Sequence, residues 1–448
     1  MMHNIKILVL SLLCILSTTL YANTYASKSQ LAAGNFVKIQ LTTSGVYKLT
    51  YEDIQAAGLN PQNLRILGYG GAMLDQDFSK RRIDDLPSVP YYRYTGADGI
   101  FNQGDYVLFY AQGITSWTFN GIRFRHNINP YSQYAYYFLS DNAGQQILLN
   151  NQPQTIETDN TLPINTFFDY QVHEQELINL IDKSGEKGAG REFYGETLSH
   201  NSTKTITFTF KNVVPDSQLR IYTDLAVSSS TQSANVTISY GTQQHSFECK
   251  GLKQTDIYTA ASTAWDNTLF TAQNLTQHTF RYLYTHQETD RLAYLNYVEA
   301  TAERYLIMTD NLLKICNPEN FDSELDNLYT VQNCNQHTQV WDVTELDSIA
   351  AVPYSVNGNV LQFRGANKEK AHRYIIINPE SYNAPKPTIL GTVGNQNLHA
   401  LRNIDYVIIT HPDFITAAQQ LAQKHQQKEQ LTTAVVTSEQ VYNEFSSG

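Results

Sequence analysis

The sequence predicts mainly β domains of the sandwich type, followed by the first β-α-β-α elements of an α/β domain. Residues 205–210 alternate strictly between threonine and apolar side chains, as in a strand with one buried face. Residues 405–410 are apolar on both faces, which is typical of a strand buried inside a parallel sheet. The chain has 30 tyrosines and only 16% charged residues, a composition that suits a strand-rich exported protein.

Residues 1–22 have the pattern of a cleaved signal peptide. Lys6 precedes an apolar stretch, residues 7–20, and small residues follow it. This stretch is shorter than the roughly 20 residues that a membrane-spanning helix needs. We therefore expect cleavage after Ala22 or Ala26.

A lipid anchor and a membrane-spanning helix are both disfavoured. Leu13 is too large for the small residue that a lipoprotein site needs before its cysteine, here Cys14. No second apolar stretch of membrane-spanning length follows the signal peptide. The mature chain is therefore expected to be soluble or peripherally held.

Length and charge limit the function further. A chain of 448 residues predicts two or three domains, which we place at residues 27–160, 161–402 and 403–448. The net charge of -11 argues against a nucleic-acid partner, because binding to phosphates requires clustered Lys and Arg.

The first predicted domain begins with two short strands. Residues 36–41 and 46–49 are separated by turn residues, which predicts a β-hairpin. Thr50 and Asp53 have the spacing of a capping box at the start of a short helix that Gly58 ends. Two further strands are predicted at residues 64–67 and 106–110.

An acidic turn precedes the second of these strands. Asp98, Asn102 and Asp105 lie close together in the sequence, which suggests calcium binding. However, Gln103 occupies the position where an EF-hand loop needs glycine, and no glutamate closes the loop. A plain hairpin turn is therefore favoured.

Aromatic residues are dense between residues 91 and 138. They either form a face that stacks sugars or docks a partner, or they fill a small β core. The core is favoured, because large rings bury much area per residue. The tract consists of Tyr91, Tyr92, Tyr94, Trp117, Phe119, Phe124, Tyr131, Tyr134, Tyr136, Tyr137 and Phe138.

Strand patterns continue through the second predicted domain and favour a two-sheet sandwich. Residues 190–196, GREFYGE, form a turn-like stretch whose charges are expected to pin a loop by an ion pair rather than to act in catalysis. Trp341 is expected to pack in the core at a strand end. The strands are predicted at residues 205–210, 218–227, 234–240, 280–284 and 293–300.

The cysteines of the mature chain form no recognisable catalytic or metal motif. Cys316 and Cys334 either form a disulfide or stay reduced, and Cys249 is expected to be a buried thiol. His245 near Cys249 and His337 near Cys334 lack the further ligands that a metal site needs. No metal ion or cofactor is therefore assigned.

The C-terminal segment alternates strand and helix. After the strand at residues 405–410, apolar residues recur at helical spacing from Phe414. Residues 431–437 predict a second buried strand, and Ser438 is the expected N-cap of a helix at residues 439–445. Units of this kind place their ligands at the carboxyl ends of the strands.

His411 is the histidine at such a strand end. Because Pro412 and Asp413 follow it, a role in turning the chain into its helix is favoured over catalysis. The sequence has no Walker loop, GxGxxG, HExxH or GxSxG motif in a usable context. We assign no catalytic residue.

Short motifs recur in one order along nearly the whole mature chain. They are GVYKLT at residues 45–50, DG at 98–99, DYVLFY at 105–110, NPY at 129–131, GREFYGE at 190–196, NQNLH at 395–399, DYVIITHPDF at 405–414 and VVTSEQVYNEFSSG at 435–448. Together they resemble the gingipain-type cysteine peptidases, in particular the sortases of the Bacteroidetes type IX secretion system. The last two motifs resemble the opening of the caspase/gingipain-like α/β catalytic domain.

By this resemblance, the chain is the N-terminal part of such a sortase. A complete sortase would remove the C-terminal signal domain from exported cargo through a thioester and attach the cargo to surface lipopolysaccharide. An outer-membrane β-barrel would hold it at the surface, which places the protein between the periplasm and the outer-membrane surface. The catalytic His and Cys of the family are expected beyond the position equivalent to Gly448.

A binding protein is the alternative. The chain would then be a secreted multi-domain β adhesin or glycan-binding protein with an incidental α/β tail. A reading frame that continues after Gly448 with strand-ended GH and SC motifs would favour the sortase, and a stop codon there would favour the binding protein.

Overall fold

The structure is a computed structural model that describes residues 25–180, 192–253, 259–318, 325–365 and 371–448. The predicted signal peptide, Cys14 and Arg191 lie outside the described residues. The predicted domain boundaries stay predictions, but the chain divides into two compact units. Unit 1 comprises the described part of Met1–Ala33 with Asp84–Leu86 and Gly394–Phe445, and unit 2 comprises Gly34–Ile83, Pro87–Val393 and Ser446–Gly448.

Unit 2 consists mainly of β-strands, with the short helix α1 (Tyr51–Ala56). Its first strands are β1 (Phe36–Leu41), β2 (Gly45–Thr50), β3 (Arg65–Leu67), β4 (Tyr91–Tyr94), β5 (Tyr106–Ala111), β6 (Thr115–Phe119), β7 (Phe124–Ile128) and β8 (Ala135–Ser140). The next are β9 (Thr161–Ile164), β10 (Thr166–Glu174), β11 (Thr197–Leu198), β12 (Thr203–Thr209), β13 (Gln218–Ser228), β14 (Ala234–Tyr240), β15 (Gln243–Cys249), β16 (Ala261–Thr271), β17 (Gln277–His286) and β18 (Ala293–Tyr305). The last are β19 (Leu312–Cys316), β20 (Asp326–Gln332), β21 (Gln339–Asp342), β22 (Ala350–Ala351), β23 (Tyr354–Asn357), β24 (Val360–Gly365), β25 (Arg373–Ile377) and β26 (Thr388–Thr392).

The first β module contains two sheets, with strand orders β26-β1-β8-β3 and β2-β5-β4. Side chains from both sheets, such as Ile39 and Phe109, meet in one core. The predicted hairpin of β1 and β2 is wrong, because the two strands belong to different sheets. The reason is tertiary: β1 bonds to β8 and β26, whereas β2 bonds to β5. Adjacent strands pair often, but their local pattern does not decide their neighbours.

The predicted start of helix α1 is confirmed. Thr50 accepts a hydrogen bond from the Asp53 backbone N–H, and the Asp53 carboxylate accepts one from the Thr50 N–H, which completes a capping box. The acidic turn between the antiparallel strands β4 and β5 is a hairpin turn, as favoured. In it, the Asp105 carboxylate accepts a hydrogen bond from the Asn102 N–H at 2.8 Å. The acidic side chains of this turn therefore hold the loop itself.

The second β module is a sandwich, as predicted. One sheet has the order β10-β18-β13-β16, with β11 beside β18, and the other has the order β12-β17-β14-β15. The inward residues of β12, Ile206 and Phe208, are buried and pack with Phe280 and Val298. The threonines of the same strand face outward, so the strict alternation of the sequence corresponds to one buried face.

The third β module contains the sheets β19-β25-β21-β22 and β23-β24-β20-β9. Its core includes Tyr329, Phe363 and Tyr374, and the Tyr329 and Phe363 rings stack with centroids 4.8 Å apart. Trp341 is fully buried at the strand end, as expected. The last strand of unit 2, β26, returns to the first module and pairs with β1.

The hairpin of β6 and β7 packs against the sandwich rather than within the first module. Phe124 stacks on Tyr170 of β10 with ring centroids 4.2 Å apart. Arg123 forms a buried ion pair with Glu299, which also lies 2.6 Å from His126 Nδ1. The aromatic tract therefore contributes to cores and to module contacts. Among its members, Tyr91, Tyr92, Phe124, Tyr137 and Phe138 are buried, whereas Tyr131 and Tyr134 are exposed.

Unit 1 contains the predicted β-α-β-α order: β27 (Tyr406–Thr410), α2 (Ile415–Glu429), β28 (Thr433–Thr437) and α3 (Ser438–Phe445). The two strands pair in parallel. The prediction that β27 is buried on both faces is wrong, since Ile409 is 60% exposed. The faces of a parallel sheet are buried by helices or by another layer, and the described part of unit 1 leaves Ile409 uncovered.

The predicted N-cap of the last helix is also corrected by one residue. The Thr437 hydroxyl accepts a hydrogen bond from the Gln440 N–H, and the Gln440 side chain accepts one from the Thr437 N–H. This reciprocal pair places the capping box at Thr437 instead of Ser438. Among the described residues, no helix is long and apolar enough to span a membrane.

Two glycines in left-handed conformations allow the packing of the first module to be tested. Gly58 has φ +81° and open space around the position of a Cβ atom, whereas Gly70 has φ +88° and a Cβ there would overlap the Gln112 carbonyl oxygen. We expect Gly58→Ala to lower the free energy of unfolding by about 1–2 kcal/mol through backbone strain alone. Gly70→Ala should lower it by a further ~1–3 kcal/mol because of the overlap. Urea denaturation measures both, and equal losses would contradict the close approach at Gly70.

Candidate functional site

The carboxyl ends of β27 and β28 are where an α/β unit would place its chemistry. Thr410 and Thr437 are paired at these ends. His411 follows Thr410, is largely exposed, and accepts a hydrogen bond at Nδ1 from the Asp413 N–H at 3.3 Å. It caps the short turn Pro412–Phe414 that leads into α2. His411 therefore turns the chain, as the sequence favoured.

The cysteine thiols of the described residues are not suited to act as nucleophiles. Cys249, Cys316 and Cys334 are free and buried, so the disulfide alternative for Cys316 and Cys334 is wrong. Burial raises the pKa of each of these thiols to about 12. A cysteine nucleophile needs a lowered pKa or a base in contact with it. These three cysteines are therefore packing residues at neutral pH.

A cluster of charged residues, here called the anchor cluster, lies in unit 1 and consists of the buried Asp85, His399 and Glu444 with the exposed Asp84 at its edge. Glu444 on α3 is fully buried. Its carboxylate accepts hydrogen bonds from the backbone N–H groups of Leu398 and His399, at 2.8 Å and 3.1 Å. Each oxygen of this carboxylate is thereby bonded inside the protein.

His399 is held between two carboxylates. Its Nδ1 lies 2.6 Å from Glu444 Oε2, and its Nε2 lies 3.2 Å from Asp84 Oδ1. Because each nitrogen faces an acceptor, the doubly protonated imidazolium satisfies both contacts. The ring also stacks on Phe445, with centroids 4.6 Å apart.

Asp85 extends the cluster to the N-terminal segment. Its carboxylate accepts hydrogen bonds from the Gln30 N–H at 2.6 Å and from the Ser29 hydroxyl at 3.3 Å. Burial raises the pKa of Asp85, against the effect of the Gln30 hydrogen bond and the charge of His399. Three separate stretches of the chain thus meet at the anchor cluster.

The charges of the cluster decide the protonation of His399. Burial alone lowers the pKa of His399, but the hydrogen bonds to Glu444 and Asp84 and the charge of Asp85 outweigh burial, so the pKa is raised. The imidazole is 2% exposed and all of its polar atoms are bonded. It has neither the access nor the free atom that acid-base catalysis requires. The cluster therefore anchors the C-terminal segment.

Other His and carboxylate contacts exist in unit 2, but they do not make a metal centre. Within the described ranges, no group of three or more His, Cys, Asp and Glu side chains is arranged to hold a metal ion. Glu192 of the GREFYGE stretch accepts a hydrogen bond from Asn296 at 2.9 Å, while its expected ion-pair partner lies outside the described residues. Glu196 of the same stretch lies 2.7 Å from His173 and 3.1 Å from Lys204.

The sequence did not indicate the anchor cluster. In the sequence, His399 and Glu444 belong only to the NQNLH and VVTSEQVYNEFSSG motifs, and no pattern points to Asp84 or Asp85. The sequence feature that could have indicated the cluster is the pair of adjacent acidic residues 84 and 85 beside an apolar residue. Such pairs are too common to predict a buried ion pair.

Comparison with known proteins agrees with the α/β arrangement of this segment. Residues 399–448 match the sequence model of peptidase family C25, the gingipain family. The match begins at His399 and includes all four elements of the β-α-β-α unit.

The crystal structure of dimeric latent PorU from Porphyromonas gingivalis is similar over nearly the whole chain. The TM-score is 0.79 and the sequence identity is 26%, over 94% of this chain and 39% of the PorU chain. The β modules described above therefore have a PorU-like fold. The chain spans less than half of the length of PorU.

The other solved structures are too weakly similar to support a conclusion about the fold or the function. A carbohydrate-binding domain of a xylanase from the hindgut metagenome of Trinervitermes trinervoides is 12% identical, over 30% of this chain and 96% of that domain, with a TM-score of 0.19. No curated protein sequence matches the chain.

The anchor cluster predicts a large loss of stability when one partner is removed. Glu444→Gln leaves the buried His399 imidazolium without its closest counter-charge. We expect the free energy of unfolding to fall by about 3–5 kcal/mol, the usual loss for a broken buried ion pair. The matched control is Glu429→Gln, which removes an exposed i,i+4 pair with His425 and should cost about 0.3–0.5 kcal/mol. Urea denaturation at pH 6 compares the two, and similar losses would contradict the anchoring role.

The same cluster predicts a pH dependence. Since the pKa of His399 is raised on folding, its stabilising contribution is complete below about pH 6.5 and is lost as the pH rises through the folded pKa. We expect this loss in the wild-type chain and a flatter profile in His399→Gln. His411→Gln, at an exposed histidine, should keep the wild-type slope. Hydrogen exchange of the amides at residues 396–399 gives the readout, and a stability that rises with pH in this window would refute the assignment.

Proposed function

We propose that this chain is the N-terminal region of a type IX secretion sortase. One observation carries the proposal: the PorU-like fold extends over 94% of the chain at 26% identity. The family C25 segment at residues 399–448 supports it independently, because it begins an α/β unit of the peptidase type. The adhesin or glycan-binding alternative has no comparable support.

In this proposal, the chain supplies the β modules and the beginning of the peptidase domain. Within unit 1, the anchor cluster ties the beginning of the C25 segment to the N-terminal segment and to residues 84–86. The complete protein would be a cysteine peptidase acting as a transpeptidase. It would remove the C-terminal signal domains of exported cargo and attach the cargo to surface lipopolysaccharide.

The location and partners belong to the same proposal. The signal-peptide pattern of residues 1–22 supports export to the periplasm and the outer-membrane surface. The proposed partners are exported cargo with C-terminal signal domains, an outer-membrane β-barrel of the type IX system and the lipopolysaccharide acceptor. The PorU structure is of a dimeric latent form, which suggests that the complete protein also dimerises in a latent state.

Deletion of the gene in the source organism tests the proposed function. Cargo proteins should then retain their C-terminal signal domains, and intact-mass measurement of outer-membrane and culture fractions detects them. Complementation with the complete gene should restore processing. Normal processing in the deletion strain would refute the proposal.

We predict that this chain cleaves no peptide bond. Its thiols are buried and protonated at neutral pH, with the pKa raised to about 12. The assay is hydrolysis of a peptide panel and of a cargo signal-domain junction, with and without a thiol-reactive inhibitor, and papain as the positive control. Inhibitor-sensitive turnover that disappears in Cys249→Ala, Cys316→Ala or Cys334→Ala would contradict the prediction and identify the nucleophile.

A further inference from the structure

A cavity of about 320 Å³ lies in unit 2 where the three β modules meet. Its walls come from the turn after β1, from β5 and β6, from β10 of the sandwich, and from β19 and β25 of the third module. Most of the wall is apolar and includes Trp117, Phe168, Val172, Ile315 and Val343. Junctions between modules are common places for ligand sites, and this volume is at the lower end of the range for small-molecule pockets.

Three polar groups lining this cavity have no hydrogen-bond partner among the described residues. Tyr110 is 6% exposed, and its hydroxyl makes no hydrogen bond with any described residue. The Tyr170 hydroxyl and the Cys316 thiol likewise have no partner in the described part of the chain. Burial raises the pKa of Tyr110 and of Tyr170, so both hydroxyls carry a proton and can donate it. Neither hydroxyl is among the fully buried polar atoms without a partner, so both reach the open space of the cavity.

Two cations also face the cavity. Arg373 donates a hydrogen bond from Nη2 to the Thr344 carbonyl oxygen at 2.8 Å, and its other guanidinium nitrogens have no described acceptor. Lys314 donates to the Ser44 carbonyl oxygen at 3.0 Å and retains further N–H donors. The cavity is thus rich in unused donors and in positive charge.

The carboxylate in the wall, Asp169, offsets only part of this charge. Asp169 lies 2.5 Å from Arg304 Nη1 and accepts a hydrogen bond from the Tyr170 N–H at 2.9 Å. Burial raises the pKa of Asp169, against the effect of Arg304. Asp169 is paired with Arg304, and its charge also acts on Lys314, whose pKa is lowered by burial. Arg373 therefore remains as the cation of the cavity without a carboxylate partner among the described residues.

We propose that this cavity binds an organic carboxylate with an apolar body. The carboxylate would accept hydrogen bonds from Arg373 and from the Tyr110 and Tyr170 hydroxyls, with Lys314 adding charge. The apolar body would lie against the aromatic and aliphatic wall. A carboxylate of this kind occurs both in small molecules and at the C-terminus of a peptide, and the chemistry of recognition is the same.

Isothermal titration calorimetry with N-acetyl-L-phenylalanine tests the site on the whole chain. We expect saturable binding of the acid and at least tenfold weaker binding of N-acetyl-L-phenylalaninamide, which has the same body without the charge. Tyr110→Phe removes a single oxygen atom and should weaken binding of the acid about tenfold, as expected for a hydrogen bond to a charged group. Arg373→Gln should weaken it more than tenfold.

Two controls separate binding from folding. Because the Tyr110 hydroxyl has no partner, Tyr110→Phe should leave the midpoint of urea denaturation unchanged. Lys386→Gln, which removes an exposed cation paired with Asp53 outside the cavity, should leave binding unchanged. A destabilised Tyr110→Phe chain, or equal binding of acid and amide, would overturn the proposal.

Further ligands identify the source of the carboxylate. A pentapeptide that ends in phenylalanine and binds with a free but not an amidated C-terminus supports a peptide terminus. Binding of the acetylated amino acid alone supports a small molecule. Inorganic phosphate that binds as tightly as the organic acid, or no binding of the acid at millimolar concentration, would overturn the site.

Discussion

Unit 2 depends on the pairing of its last strand with its first. β1 lies between β8 and β26 in one sheet, and Gln40 of β1 is in register with Thr388 of β26. The chain therefore completes its first module only after it has built the sandwich and the third module. The entropic cost of closing so long a loop is only slightly greater than that of closing a shorter loop, because this cost rises with the logarithm of loop length. It does require non-local contacts, which slow folding. The three modules are consequently parts of one compact unit.

Local patterns predicted which side chains are buried but not which strands are neighbours. The alternation around Ile206 and Phe208 and the capping box at Thr50 are properties of a few adjacent residues, and the structure confirms them. The pairing of β1 is set by strands far away in the sequence, so the expected hairpin with β2 was wrong. The exposure of Ile409 has the same origin. Its pattern is typical of a strand with both faces covered, but the cover of a sheet face comes from distant elements, and the described part of unit 1 leaves Ile409 exposed.

Neither charged site could be predicted from spacing. The anchor cluster joins residues from three stretches of chain, and no motif connects Asp84 to His399 or Glu444. In the cavity, Cys316 and Arg373 are opposite each other only because β19 and β25 pair antiparallel. Tyr110 is an ordinary aromatic residue of a buried strand in the sequence. Its position at a junction of modules is a tertiary property.

The two sites differ in how completely their polar atoms are bonded, and this difference separates structure from binding. Every oxygen of Glu444 and both nitrogens of His399 have partners inside the protein, so the anchor cluster has nothing left to offer a ligand. The cavity retains the hydroxyls of Tyr110 and Tyr170 and free donors on Arg373. A closed core would lose stability through such unbonded donors. A cavity open to water or to a ligand avoids that loss, and a carboxylate supplies the acceptors that these donors need.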